Sequence, residues 1–320
     1  LQARGVEVLY APFVRRLETH LASVGEIYDV VLVSRLEAAR RHLARVLQYC
    51  PQALVVFDTV DLHFVRERRE AELEQDARKQ ASAEETRREE LSAARAADAT
   101  VVVSEGERRL VLEEEPEVNV RVVSTIHRLG PERPGPVERR DVLFVGGFEH
   151  PPNTDAVRWM ASVVMPLVNE RLPDVRLHVV GSGPPAEIRA LATERVEIAG
   201  YVPDLEPYFE GCRLSVAPLR YGAGVKGKIN QSLANGLPVV ATPIACEGMY
   251  LEDGRDVLIA EAAEAFAAAI CRLYEDDDLW LRLAAGGRET VERHYSVAAA
   301  KERTRDLLEQ RRRGRPVSTD

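Results

Sequence analysis

Short apolar runs rich in β-branched residues recur along the chain, and between them apolar residues return every three or four positions. Residues 29–33 (DVVLV), 53–57 (ALVVF), 99–103 (ATVVV) and 120–124 read as buried strands. A second series follows at 141–145, 176–180, 196–202, 214–219, 238–242 and 256–260, and residues 6–10 read as a further strand ahead of the first. Helical spacing fills the intervals: 13–25, 35–49, a helix capped by Ser104, one capped by Asn153 or Thr154 and running to about 171, then 204–210, 227–235, 262–275, 277–294 and 297 to about 313. Residues 65–97 are dense in Arg, Glu and Ala and hold neither Gly nor Pro, so they read as one long or two shorter helices with a solvated, charge-paired face.

The result is strand–helix alternation in two blocks, broken by the proline- and glycine-rich residues 129–136. Alternation of this kind implies parallel sheets flanked by helices, an α/β fold whose two domains leave a cleft at their strand carboxyl ends. The expected units are residues 1–134, residues 135–295, and a terminal helix and tail over 296–320. The chain starts without Met, and residues 1–5 look like a helix tail closed by glycine. The first domain is therefore expected to lack at least one upstream strand–helix unit.

Candidate chemistry concentrates in residues 214–243, LSVAPLRYGAGVKGKINQSLANGLPVVATP. An apolar strand leads into Gly222, Gly224 and Gly227 with Lys226 and Lys228 among them, and a helix starts there. Glycines let backbone N–H groups approach an anion, a helix N-terminus adds about half a positive charge, and two ammonium groups add full ones. A phosphate or diphosphate seat is one reading, and a tight strand-to-helix turn with solvated lysines is the other. The three glycines also spell G-x-G-x-x-G, but no acid stands about 20 residues on, and the motif comes late in the chain, which speaks against a nicotinamide or flavin site. In the first block, Asp58, Asp61 and His63 follow a buried strand, where open α/β sheets bind ligands. His63 could orient a substrate or move a proton, or simply start a helix; Asp58 and Asp61 could bind hydroxyls or cap that helix. His127 and His150 border the expected cleft. Asp276-Asp277-Asp278 has the D-x-D spacing of metal-using sugar transferases, but it precedes an amphipathic helix and reads as an N-cap.

Of the 320 residues, 45% are hydrophobic and 30% charged, an ordinary globular composition, and the net charge of -9 argues against general nucleic-acid binding. The 4 cysteines are scattered without metal-like spacing and read as single buried thiols. No apolar run is long enough for a bilayer and no signal-type start is present, so a cytoplasmic location is the default.

The segments VLFVGGF, LHVVGSGP, VEIAGYVPD and SVAPLRYGAGVKGKINQSLANGLPVVATP, in that order, resemble the group 1 glycosyltransferases of the GT-B architecture. The likeness covers 141–295 strongly and 29–124 more weakly, through ADATVVVSEGE. It implies two Rossmann-like domains with parallel sheets facing a cleft. A nucleotide-sugar donor would be held mainly by the second domain, and a glycan or lipid-linked acceptor by the first. Transfer would retain anomeric configuration without a bound metal or other cofactor, in cell-surface polysaccharide synthesis. Peripheral membrane contact is left open, no nucleic-acid partner is expected, and the chain would be part of a longer one. By resemblance, Gly146 and Gly147 form the first glycine turn, Gly181 and Gly183 the second, and Tyr201 with Val202 the nucleobase strand and loop. Gly222 and Gly224 belong to the phosphate turn, where Lys226 or Lys228 carries the diphosphate charge. His63 resembles the first domain's active-site histidine, and Asp61 beside it in sequence is taken with it as a catalytic candidate on its position alone. The family's E-x7-E motif is changed: its second Glu falls on Gln231, whose amide can still bond a ribose, and its first on Ala223. A donor-binding module without catalysis is the alternative; a nucleotide-sugar epimerase of the same architecture is a third reading.

Overall fold

The computed structural model describes residues 2–222 and 224–309. Leu1, Ala223 and the expected end of the last helix, at about 313, lie outside the described residues.

Two parallel sheets form. The first holds β1 (Val30–Ser34), β2 (Leu54–Asp58), β3 (Ala99–Val102) and β4 (Val120–Val122), side by side in chain order. The second holds β5 (Arg140–Val145), β6 (Leu177–Val180), β7 (Val196–Gly200), β8 (Cys212–Ala217), β9 (Val239–Ala241) and β10 (Leu258–Ile259), in the order β10-β9-β8-β5-β6-β7. The first strand of this sheet thus lies at its centre, with successive strands added to one side and then to the other. That is the dinucleotide-fold order, and its switch point falls between β5 and β8. The strands are apolar runs rather than alternating ones because helices cover both faces: β8 is buried at every position.

Residues 6–10 do not form the expected strand. Val6 is 46% exposed, Leu9 42% and Tyr10 52%, and among the described residues no segment pairs with the outer side of β1. An apolar run becomes a strand only when a neighbour takes its backbone bonds. The charged stretch after His63 resolves as two helices, His63–Glu74 and Ala77–Ala96, separated by Gln75 at a left-handed φ of 54° and capped anew by Asp76, whose carboxylate accepts the Arg78 N–H at 2.8 Å. Asn153 does not cap its helix, which starts at Pro151 with His150 as the capping residue.

The proline-rich residues after 128 lie against the second unit: Gly130 N–H donates to the Ala234 carbonyl at 2.9 Å, and Arg288 reaches the carbonyl of Gly130 at 2.7 Å. The buried Arg139 and Arg213 hold the Pro134 and Pro136 carbonyls there. The helix Val297–Glu309 returns to the first unit, where Leu307 packs with Val56, Ala99 and Val101. The chain therefore crosses between the units twice, and the crossings touch, since the His127 N–H donates to the Tyr295 carbonyl at 2.8 Å.

Candidate active site

The loops after β5 and β8 flank the switch point, and the sequence puts a glycine turn in each. After β5, Gly146 and Gly147 turn the chain; the Phe148 N–H donates to the Ser182 carbonyl at 2.9 Å, joining this turn to the one after β6. Gly181 packs directly against the Gly146 carbonyl, so closely that a Cβ there would overlap its backbone. The turns after β5 and β6 are thus one surface, and only a residue without a side chain permits it. Gly183, at a φ of 67°, ends the second turn in open space.

Lys228 lies in the first turn of the helix Gly227–Ala234 and reaches back to this surface. Its ammonium donates to Asn153 Oδ1, sits 4.2 Å from the centre of the Phe144 ring, and is 2.9 Å from where a Cβ on Gly146 would stand. Asn153 in turn donates to the Gly147 carbonyl at 2.6 Å. No carboxylate is among these contacts. Burial pushes Lys228 down to about 7, and the charge of Lys226 works in the same direction. A cation held against a glycine turn, with no counter-charge beside it among the described residues, is arranged for an anion that comes from outside.

Lys226 is placed differently. It is buried, and its ammonium donates to the Gly224 carbonyl in its own loop. Burial lowers it to about 8, against the pull of Glu247, Glu107 and Asp61 and with the push of Arg69. Gln231 is half-buried one turn beyond Lys228 on the same helix. Tyr201 does not join this cluster: it stands 75% exposed after β7, two strands from β5, while Val202 packs with Leu143, Val180 and Phe209.

From the first unit, the strand-end residues come up against the glycine turn of the second. A Cβ on Gly224 would lie 3.2 Å from Asp61 Cβ and 3.5 Å from Glu107 Oε1. The β-branched Val60 is held at a φ of 65°, a conformation that costs about 1–3 kcal/mol and that clusters at functional sites. Asp58 serves this turn, accepting from the Val60 N–H at 3.2 Å and from the Ser34 hydroxyl at 2.9 Å. His63 begins its helix as the local pattern allowed, and its imidazole Nδ1 lies 2.9 Å from Glu90 Oε1, with Nε2 3.9 Å from Asp61 Oδ1. Glu90 also accepts the backbone N–H of His63 at 3.0 Å and of Phe64 at 3.1 Å. The Glu90 bond holds the imidazole's pKa above its ordinary value, against burial and with help from Asp61. Asp61 is further engaged by Arg66.

Four residues here escape a sequence reading. Asn153 looks like a cap, Glu90 and Arg69 like parts of a solvated helix face, and Glu107 like a first-turn acid. Glu107 is buried, and burial pushes it up to about 7 against the bonds it accepts from Val103 and Leu62. His127, a border candidate, has its Cε1 4.0 Å from a Cβ position on Gly227, beside the start of the Lys228 helix; His150 stays exposed. The D-x-D run is occupied locally: Asp276 caps its helix through the Leu279 N–H at 2.8 Å, and Asp277 pairs with Arg213 at 2.5 Å. Among the described residues no group of His, Cys, Asp and Glu is placed to hold a metal, and no helix is long and apolar enough to cross a membrane.

The sequence model of the family described as "Glycosyl transferases group 1" matches residues 139–276. The lipopolysaccharide core biosynthesis glycosyltransferase LpsE of Rhizobium meliloti is 32% identical over 146 residues, 43% of this chain and 43% of that protein. The phosphatidyl-myo-inositol mannosyltransferase of Mycolicibacterium smegmatis is 30% identical over 176 residues, 52% of this chain and 44% of its own length. The chain thus spans less than half the length of either relative. Among solved structures, HepE from Anabaena, in complex with UDP and glucose, superposes with a TM-score of 0.72 at 13% identity, covering 92% of this chain and 81% of that one. The matched segment spans β5 to β10 and both lysines, and the fold extends the likeness across the first sheet. Over residues 139–276 the chain is similar to the group 1 glycosyltransferases, and the whole is built on the GT-B fold.

Proposed function

We propose that the protein transfers a sugar from a nucleoside-diphosphate donor to a glycan or lipid-linked acceptor of the cell surface. One observation carries this reading: the Lys228 ammonium, which has no carboxylate partner among the described residues, lies against the Gly146 turn at the switch point of the second sheet. A leaving nucleoside diphosphate gains negative charge as the glycosidic bond breaks, and preorganised cations stabilise that charge. Lys228 and the start of its helix supply them; Lys226 adds a second ammonium by exchanging the Gly224 carbonyl for a phosphate oxygen. Gln231 would bond the ribose, with Tyr201 and Val202 towards the base. On the acceptor side, Asp61 faces the glycine turn with His63 beside it; the carboxylate can take the proton released by an acceptor hydroxyl, and the imidazole can orient the sugar. With the charge carried by lysines, the reaction as proposed runs without a metal; retained configuration is proposed on the family resemblance alone. The relatives' names, lipopolysaccharide core and phosphatidyl-myo-inositol, support a cell-surface product. A lipid-linked acceptor would be met by peripheral contact with the membrane.

Calorimetric titration with UDP, GDP and ADP tests the seat; at least one is expected to bind, and binding of none overturns the proposal. Hydrolysis of the matching nucleotide sugar then separates an enzyme from a module that only holds the donor.

The lysines give the site a pH dependence. Above pH 7 the phosphate, with a second pKa of about 6, is already fully ionised, so only the protein's protons change. Lys228 at about 7 and Lys226 at about 8 must be protonated to receive the diphosphate, which raises both values on binding. Nucleotide affinity is therefore expected to fall as pH rises from 7 to 9, and binding at pH 8 to take up protons. Titrations in two buffers of different ionisation heat read this directly. A flat affinity with no proton uptake would remove both lysines from the nucleotide site.

A further inference from the structure

Arg69 lies on the helix His63–Glu74 of the first unit and reaches into the second. Its Nη1 donates to the Gly222 carbonyl at 2.6 Å, and its guanidinium forks onto Glu247, with Nη2 to Oε1 at 2.7 Å. Gly222 opens the glycine turn after β8 at a φ of 147°, and Glu247 closes the short helix Pro243–Cys246 that follows β9. The Arg69 side chain is 21% exposed and that of Glu247 48%, so the bond to the Gly222 carbonyl is partly buried while the ion pair beside it faces water. The two loops it ties also meet within the second unit, where the Thr242 hydroxyl donates to the Leu219 carbonyl. One guanidinium thus fixes, from across the domain gap, the orientation of a peptide group in the lysine-bearing turn.

We propose that Arg69 is a positioning residue that makes the shape of the phosphate turn depend on closure of the two units. Gly222 has no side chain to hold it, and the conformations open to glycine are many. The bond from Arg69 removes that freedom only while the units are closed. Glu247 keeps the guanidinium in the one orientation from which it reaches the carbonyl, as a bidentate carboxylate does. The consequence for donor binding rests on the function proposed above; the link between turn and closure does not.

The test uses the whole chain, with hydrogen–deuterium exchange over residues 218–228 and spin-label distances between the units. Arg69→Ala is expected to speed exchange in this segment about tenfold and to lengthen the interdomain distance. Arg45→Ala, whose bonds go to Glu18 and to the Arg41 carbonyl within the first unit, is expected to change neither. The charge swap R69E with E247R restores the ion pair but leaves the Gly222 carbonyl without its donor, so distance should recover while exchange stays fast. If Arg69→Ala does not fold, Arg69→Lys, which lacks the fork, is expected to show the same changes at smaller size. Wild-type exchange and distance in Arg69→Ala or Arg69→Lys would overturn the proposal. Nucleotide titration runs alongside: UDP is expected to bind Arg69→Ala about tenfold more weakly than wild type. Absence of UDP binding in the wild type would count against the proposed function, and the exchange result would still decide the role of Arg69.

Discussion

Lys228→Met is expected to lower nucleotide affinity about 100-fold while leaving the fold intact, as a hydrogen bond to a charged group contributes about 1.5–3 kcal/mol and this ammonium is the one held against the Gly146 turn. Met keeps most of the length and fills the space beside Phe144, so packing is preserved. Stability should move in the opposite direction from binding. The folded pKa of Lys228, about 7, lies below the ordinary lysine value, so the unfolded chain binds more protons over the interval between them. Wild-type stability therefore rises with pH from about 7 towards the ordinary lysine value of about 10.4. The Met variant lacks that slope, and its advantage over wild type should be largest near pH 6 and shrink by pH 10, offset throughout by the Asn153 oxygen left without its donor. Urea midpoints at three pH values, set beside a UDP titration, read both effects. A lysine with only a structural role would lose stability on substitution and leave nucleotide affinity unchanged.

Gly181→Ala is expected to be the more damaging of two conservative changes in the second glycine turn. The new Cβ would meet the backbone of Gly146, and neither side can retreat. The Gly146 N–H is bonded to the Val180 carbonyl at 2.9 Å, and the Gly181 N–H to the Gly200 carbonyl at 2.8 Å. Overpacking of this kind costs about 3 kcal/mol, and because it parts the two turns that form the surface facing Lys228, nucleotide binding should be lost with it. Gly183→Ala is the comparison. Its Cβ would meet nothing, so only the left-handed backbone counts, at about 1–2 kcal/mol. Denaturant midpoints of the pair give the contrast; equal, small losses would mean that the contact between Gly181 and Gly146 does not shape the site.

The sheets were readable because buried parallel strands are continuous apolar runs, and the Lys228 turn was readable because glycines, lysines and a helix start all fall within a few residues. What escaped depends on partners distant in the chain. Asn153 matters through Lys228, 75 positions on, and Glu90 through His63, 27 positions back. To a local reading, Glu90 and Arg69 are ordinary members of charged helices. The residues at 6–10 have a strand's composition without a strand's neighbour, and composition cannot supply one. The break at Gln75 was equally hidden, since a glutamine gives little warning of a left-handed backbone.

The bonded pair His127 and Tyr295 marks where the polypeptide passes between the lobes in both directions. Two covalent straps fastened side by side act as a pin: the lobes can swing about it, but twisting one against the other strains both straps. Amplitude then grows with distance from the pin, so Gly227, beside His127, would travel little as the lobes part. The lysine-bearing helix would stay nearly stationary while the rest of the rim moves around it.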